Sequence, residues 1–136
     1  MRYTARLVLF ILILCLSACA DDQAVRLGPQ TWSDLQFVVE TRPSPVRVGM
    51  NEFIVIASGE KERPGYDLIV SLRADEEVEW KQAIQDGFTG VYRRAIRIND
   101  PSSDILSVHI KKAKKDGEGN EVETILHFPL TQKQNN

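Results

Sequence analysis

The segment DLIVSLR, residues 67–73, sets Leu68, Val70 and Leu72 on one side of an extended chain and Asp67, Ser71 and Arg73 on the other. A period of two is what a strand with one buried face requires. Ile69 alone breaks it. NEFIVIAS is apolar on both sides around Phe53, Val55 and Ala57, as suits a central strand, and LQFVVE supplies an earlier strand at residues 35–39. Between these runs lies TRPSPVRVGMN, whose Pro43 and Pro45 fit an edge crossing, because proline donates no ladder hydrogen bond.

Turn signals punctuate the remainder: SGEKERPG, DGFTG, NDPSSD and KKDGEGNE. Strands then recur about every ten to eighteen residues. ADEEVEWKQAI is the one candidate helix, but Val78, Ala83 and Ile84 make a poor apolar stripe, so a strand or irregular crossing is expected there. No repeat or low-complexity run is present. About seven strands over roughly 100 residues predict an all-β fold, an immunoglobulin-like β-sandwich without the paired cysteines of antibody domains.

The N-terminal segment has a different character. Arg2 and Arg6 precede the apolar run LVLFILILCL, and the small residues Ser17 and Ala18 follow it, as in an export signal. Ten apolar residues in a helix rise only about 15 Å, roughly half a bilayer's hydrocarbon thickness, which argues against a permanent span. LSAC, residues 16–19, resembles the lipobox of bacterial lipoproteins. The resemblance implies that Cys19 is lipidated on sulfur and becomes the new N-terminus, while Cys15 departs with the signal. The alternative is a conventional cut, which after Ala18 leaves Cys19 as an odd exported thiol and after Ala20 removes it.

Removal of residues 1–18 leaves 118 of the 136 residues and takes away two basic groups, so the formal charge moves from −2 to about −4. Mild acidity argues against a nucleic-acid partner, and this length suits one domain. The expected organisation is a signal peptide at 1–18, a lipidated tether at 19–31 broken by Gly28 and Pro29, a β-sandwich at 32–130 and a disordered tail at 131–136. The expected location is the cell envelope, on the periplasmic face. Ala20 follows Cys19 where an inner-membrane-retained enterobacterial lipoprotein has aspartate, so a two-membrane host is expected to send the protein to the outer membrane.

VRVGMNEFIVIAS, YDLIVSLR, GVYRRAIRI and DILSVHIKK, within residues 46–112, resemble the FixH/YtkA-like group of bacterial extracytoplasmic domains. The shared features are a Gly-x-Asn opening of one strand, a Gly-x-Tyr opening of a later one, and an alternating strand after a short loop. The resemblance implies a sandwich at the outer face of a membrane and, for some members, a link to respiratory-oxidase assembly or copper handling. Ile105 and Leu106 stand where such domains often carry tryptophan, and the mature chain holds only Met50, His109 and His127 as soft or imidazole ligands.

No catalytic constellation emerges, and the chain is expected not to be an enzyme. Ser58 lacks the Gly-x-Ser-x-Gly elbow, and an acylated Cys19 cannot pair with a histidine. DEEVE, residues 75–79, has no EF-hand spacing and reads as a solvated acidic loop. Lys111, Lys112, Lys114 and Lys115, with Arg93, Arg94 and Arg97, form a candidate patch for anionic headgroups, against the alternative of surface charge that discourages edge pairing. The principal expectation is a binding or assembly module held at the membrane by its lipid, with an envelope protein as partner and no cofactor. The alternative is a copper or zinc accessory.

Parity places Tyr92, Ile96 and Ile98 inside with Leu68, Val70, Leu72, Leu106, Val108 and Ile110, and with them Arg94, which must then reach the rim. A hairpin turn centred on Glu118 sets Val108 opposite Phe128, Ile110 opposite Leu126, and His109 opposite His127 on the outer face. Two directly opposed imidazoles could share a weakly bound metal ion, though zinc or copper would want further ligands.

Overall fold

The structure is a computed structural model that describes residues 25–112 and 122–131. Among the described residues nine strands form two antiparallel sheets: β1 (Arg26–Trp32), β2 (Leu35–Arg42), β3 (Gly49–Ser58), β4 (Leu68–Arg73), β5 (Lys81–Gln82), β6 (Ile84–Gln85), β7 (Val91–Ile98), β8 (Ile105–Lys112) and β9 (Glu123–Pro129). The sheet orders are β1-β2-β3-β7-β6 and β5-β4-β8-β9. Seven strands have six or more residues; β5 and β6 have two each. With β2, β3, β7 and β6 as strands A, B, E and D, and β4, β8 and β9 as C, F and G, the order is that of an immunoglobulin-like sandwich.

The period-two pattern dictates the inner faces. Phe37, Val39, Phe53, Val55, Tyr92 and Ile98 from one sheet meet Val70, Leu72, Leu106, Val108, Ile110 and Phe128 from the other, each at most 1% exposed. The expected parity of β4, β7 and β8 is therefore the observed one, and Ile69 points outward. Arg94 lies opposite Phe53 in register, shares Tyr92's parity and is half-buried, so its side chain keeps contact with water at the rim. β3 is the central strand of its sheet.

Three expectations are corrected. Residues 26–31, expected as tether, form most of β1 and pair with β2 from Arg26↔Glu40 to Trp32↔Leu35. Period-two patterning is weak there because Gly28 and Pro29 interrupt it at a register shift between Leu27 and Gln30. The proline-bearing stretch 43–48 is a hairpin loop between neighbouring strands, not a crossing, since Arg42 pairs with Glu52. The β8–β9 hairpin exists, but its register differs by two residues: Leu106 faces Phe128, Val108 faces Leu126, His127 faces Ser107 and His109 faces Ile125. A two-residue slip keeps every side chain on its own face, so apolar patterning cannot detect it.

Both strand-opening motifs have a structural cause. Gly49 has φ +105. Two residues on, the buried Asn51 accepts from Arg47 N at 3.0 Å and donates to the carbonyls of Arg47 at 2.7 Å and Gly49 at 2.9 Å. Gly90 has φ +73 and accepts from Ala57 N at 2.8 Å. Two residues on, the Tyr92 hydroxyl donates to Gly65 O at 3.0 Å across the closed end of the sandwich, and burial pushes its phenol up from the ordinary range.

Candidate functional site

The outer face of the four-stranded sheet collects both histidines. Register sets Arg73, Ser107 and His127 in one row, Ser71, His109 and Ile125 in the next, and Ile69, Lys111 and Glu123 in a third. His109 and His127 are thus diagonal neighbours on one face, with separate partners. His109 Nε2 donates to Glu123 Oε2 at 2.9 Å, and its ring lies 5.3 Å from that of Trp80. His127 Nδ1 meets Ser107 Oγ at 3.1 Å. The Arg73 guanidinium carbon sits 4.3 Å from the Trp80 ring centroid, within cation–π range.

The expected direct opposition of His109 and His127 is not the observed register, which sets His109 opposite Ile125. Among the described residues no group of three or more histidine, cysteine, aspartate or glutamate side chains is placed to hold a metal ion. Met50 lies in the other sheet, remote from both histidines. The acidic segment at 75–79 is a turn in which Asp75 accepts from Glu77 N at 3.0 Å.

Glu123 also contacts Lys111 Nζ at 3.2 Å. The hydrogen bond from His109, and after it that from Lys111, holds the Glu123 carboxyl below its ordinary value of 4.5. A carboxylate whose folded value is lowered contributes stability above the unfolded value, and that contribution disappears as pH falls through the folded one. His109→Ala is expected to move the Glu123 midpoint upward in an NMR titration with little change in melting temperature, because the pair is exposed. An unmoved midpoint would remove His109 as the principal cause.

The two described lysines of the candidate headgroup patch, Lys111 and Lys112, are already engaged. Lys112 Nζ lies 3.3 Å from Asp34 Oδ1 and 5.5 Å from the Trp32 ring centroid, tying β8 to the β1–β2 turn. The Asp34 carboxyl is held low, first by its own backbone N–H and then by Lys112. Cys19, Lys114 and Lys115 lie outside the described residues.

The feature that sequence reasoning missed is a groove of about 770 Å³ at the edge where the chain changes sheets. β5 pairs with β4 while β6, one residue later, pairs with β7. The small, buried Ala83 makes that transfer, donating to Val70 O at 2.8 Å. Met50, Glu52, Lys81, Ile84, Arg93 and Arg94 are among the groove's walls. Arg93 is balanced by Asp86 at 3.6 Å and Glu52 at 3.9 Å. The two-residue strands beside it carry no readable periodicity, so only the exposed apolar Ile84 within a charged stretch could have signalled it.

Comparison of the chain with protein-family models, curated proteins and solved structures gave no match.

Proposed function

We propose that the chain is an exported bacterial lipoprotein anchored through Cys19, whose FixH/YtkA-like sandwich is a non-enzymatic binding or assembly module at a membrane surface, with an envelope protein as its partner. The observation that carries this reading is where the fold begins. Six residues separate Cys19 from Arg26, the first residue of β1. A chain spans at most about 3.6 Å per residue, so the sandwich is held within about 25 Å of the lipidated sulfur.

Val25 N donates to Ser44 Oγ at 2.7 Å, so the tether arrives at the end of the sandwich formed by the loops at 43–48 and 99–104. Lys111 and Lys112 lie at the opposite end, beside the β1–β2 turn. That separation supports a protein partner over lipid headgroups.

Intact mass spectrometry of membrane-extracted protein is expected to show a diacylglycerol adduct on Cys19, with palmitate label incorporated. Cys19→Ser is expected to move the protein to the soluble fraction. A wild-type product that is soluble and starts at Asp21 overturns the reading.

A further inference from the structure

β7 runs for eight residues, Val91–Ile98, yet β6 covers only Tyr92 and Arg93. In an antiparallel ladder the N–H and C=O of one residue point the same way, and alternate residues point to opposite sides. Val91 O accepts from Asp86 N at 2.8 Å on the β6 side, so Arg93, Ala95 and Arg97 also turn their backbone groups that way. Among the described residues no strand pairs with residues 94–98 on that side, which leaves Ala95 and Arg97 facing an open edge. Both residues are exposed.

An open ladder edge is a template for an added strand. Two features select its occupant. Lys81, Arg94 and Arg97 have no salt bridge among the described residues, whereas Arg93 already has two carboxylate neighbours. The groove alongside offers apolar contact from Met50 and Ile84, which are 55% and 69% exposed. Met50 pairs with Arg97 and Gly49 with Ile98, so the edge also lies toward the loop at 43–48, where the tether arrives.

We propose that the open edge of β7 binds an extended acidic segment of a protein partner as an added strand, with carboxylates opposite Arg94 and Arg97 and an apolar side chain opposite Ala95, on the face that carries Met50 and Ile84. This rests on the reading of the domain as a binding module and names the chemistry of its partner. A second copy of the chain is a poor occupant. Two antiparallel β7 edges joined through Ala95 and Arg97 would set Arg97 of one copy opposite or diagonal to Arg97 of the other, and like charges across a ladder destabilise it.

The test uses the purified full chain with two end-blocked hexapeptides, Ser-Glu-Thr-Val-Glu-Ser and Ser-Lys-Thr-Val-Lys-Ser. Binding is followed by NMR titration, and amide hydrogen exchange is recorded with and without peptide. The glutamate peptide is expected to slow exchange at Ala95 and Arg97 at least about tenfold at saturation, and the lysine peptide to leave it unchanged. Ala95→Pro removes a donor on the open side alone and is expected to abolish the protection. Arg94→Glu combined with Arg97→Glu keeps the backbone intact and is expected to reverse the preference between peptides.

Equal response to both peptides, or protection confined to other strands, overturns the proposal. So does a dimer in sedimentation whose Ala95 and Arg97 amides are protected without peptide. Membrane fractionation and the Cys19 adduct do not depend on this edge. Their loss with peptide binding retained removes the anchored reading alone, and the converse removes the edge inference alone.

Discussion

Gly90→Ala is expected to destabilise the protein by roughly 3 kcal/mol or more, lowering its melting temperature by on the order of 15 °C. The residue sits at φ +73, and a Cβ there would lie 2.5 Å from Ala57 O and 2.9 Å from Gly65 N. Both atoms are backbone already committed to hydrogen bonds, Ala57 N to Gly90 O and Gly65 N to Ala57 O, each at 2.8 Å. Neither can retreat without opening the junction that also receives the Tyr92 hydroxyl. Gly87 supplies the control: its φ is +57, but an added Cβ meets nothing within 4 Å. Gly87→Ala should therefore cost only the backbone strain, roughly 1–2 kcal/mol. Equal losses for the two variants in thermal or urea unfolding would show that the contact with Ala57 and Gly65 is unimportant.

Removal of the Asn51 side chain should have the next largest effect, with Asn51→Ala costing about 2–3 kcal/mol. Asn51 is 1% exposed and closes the loop at 43–48 with three hydrogen bonds to backbone. A net value near 1 kcal/mol for each bond sets the scale. Asn51→Asp keeps the acceptor for Arg47 N but turns a carboxylate toward the two carbonyls that Nδ2 serves. That repulsion raises the carboxyl's folded value above its unfolded one. The variant should thus be least impaired below the unfolded value and lose stability as pH rises through the folded value. A variant equally stable at pH 4 and pH 7 would show that those carbonyls do not face the side chain. Both substitutions should also loosen the loop at 43–48 on which Val25 is fastened.

Much of the sandwich was legible because strand faces are a local property. Leu68, Val70 and Leu72 alternate with polar residues, and that alternation alone determines which side is buried whatever the strand later pairs with. The same reasoning placed Tyr92, Ile96 and Ile98 inside and carried Arg94 to the rim. The motifs at residues 49–51 and 90–92 were visible as patterns; the first has its cause in the nearby Arg47 and Gly49, but the second needs neighbours far along the chain, since Gly90 is a glycine because Ala57 and Gly65 come against it.

Pairing was less accessible. Slipping β9 by two residues against β8 exchanges Phe128 for Leu126 opposite Val108 without turning any apolar side chain to water, so the sequence could not choose between the registers. Whether His109 faced His127 or Ile125 was settled only in the assembled sheet. β1 was hidden for a related reason: its worth lies in a ladder with β2, and a stretch interrupted by Gly28 and Pro29 advertises no face of its own. The candidate site is furthest from the sequence, since the open β7 edge arises from where residues 81–85 leave one sheet for the other. By itself the sequence determined the all-β class and the inward side of the long strands, because period acts over a few residues. Only the tertiary structure decided register, the first strand and the β7 edge left open among the described residues, because each depends on contacts between segments whose separation along the chain no local pattern records.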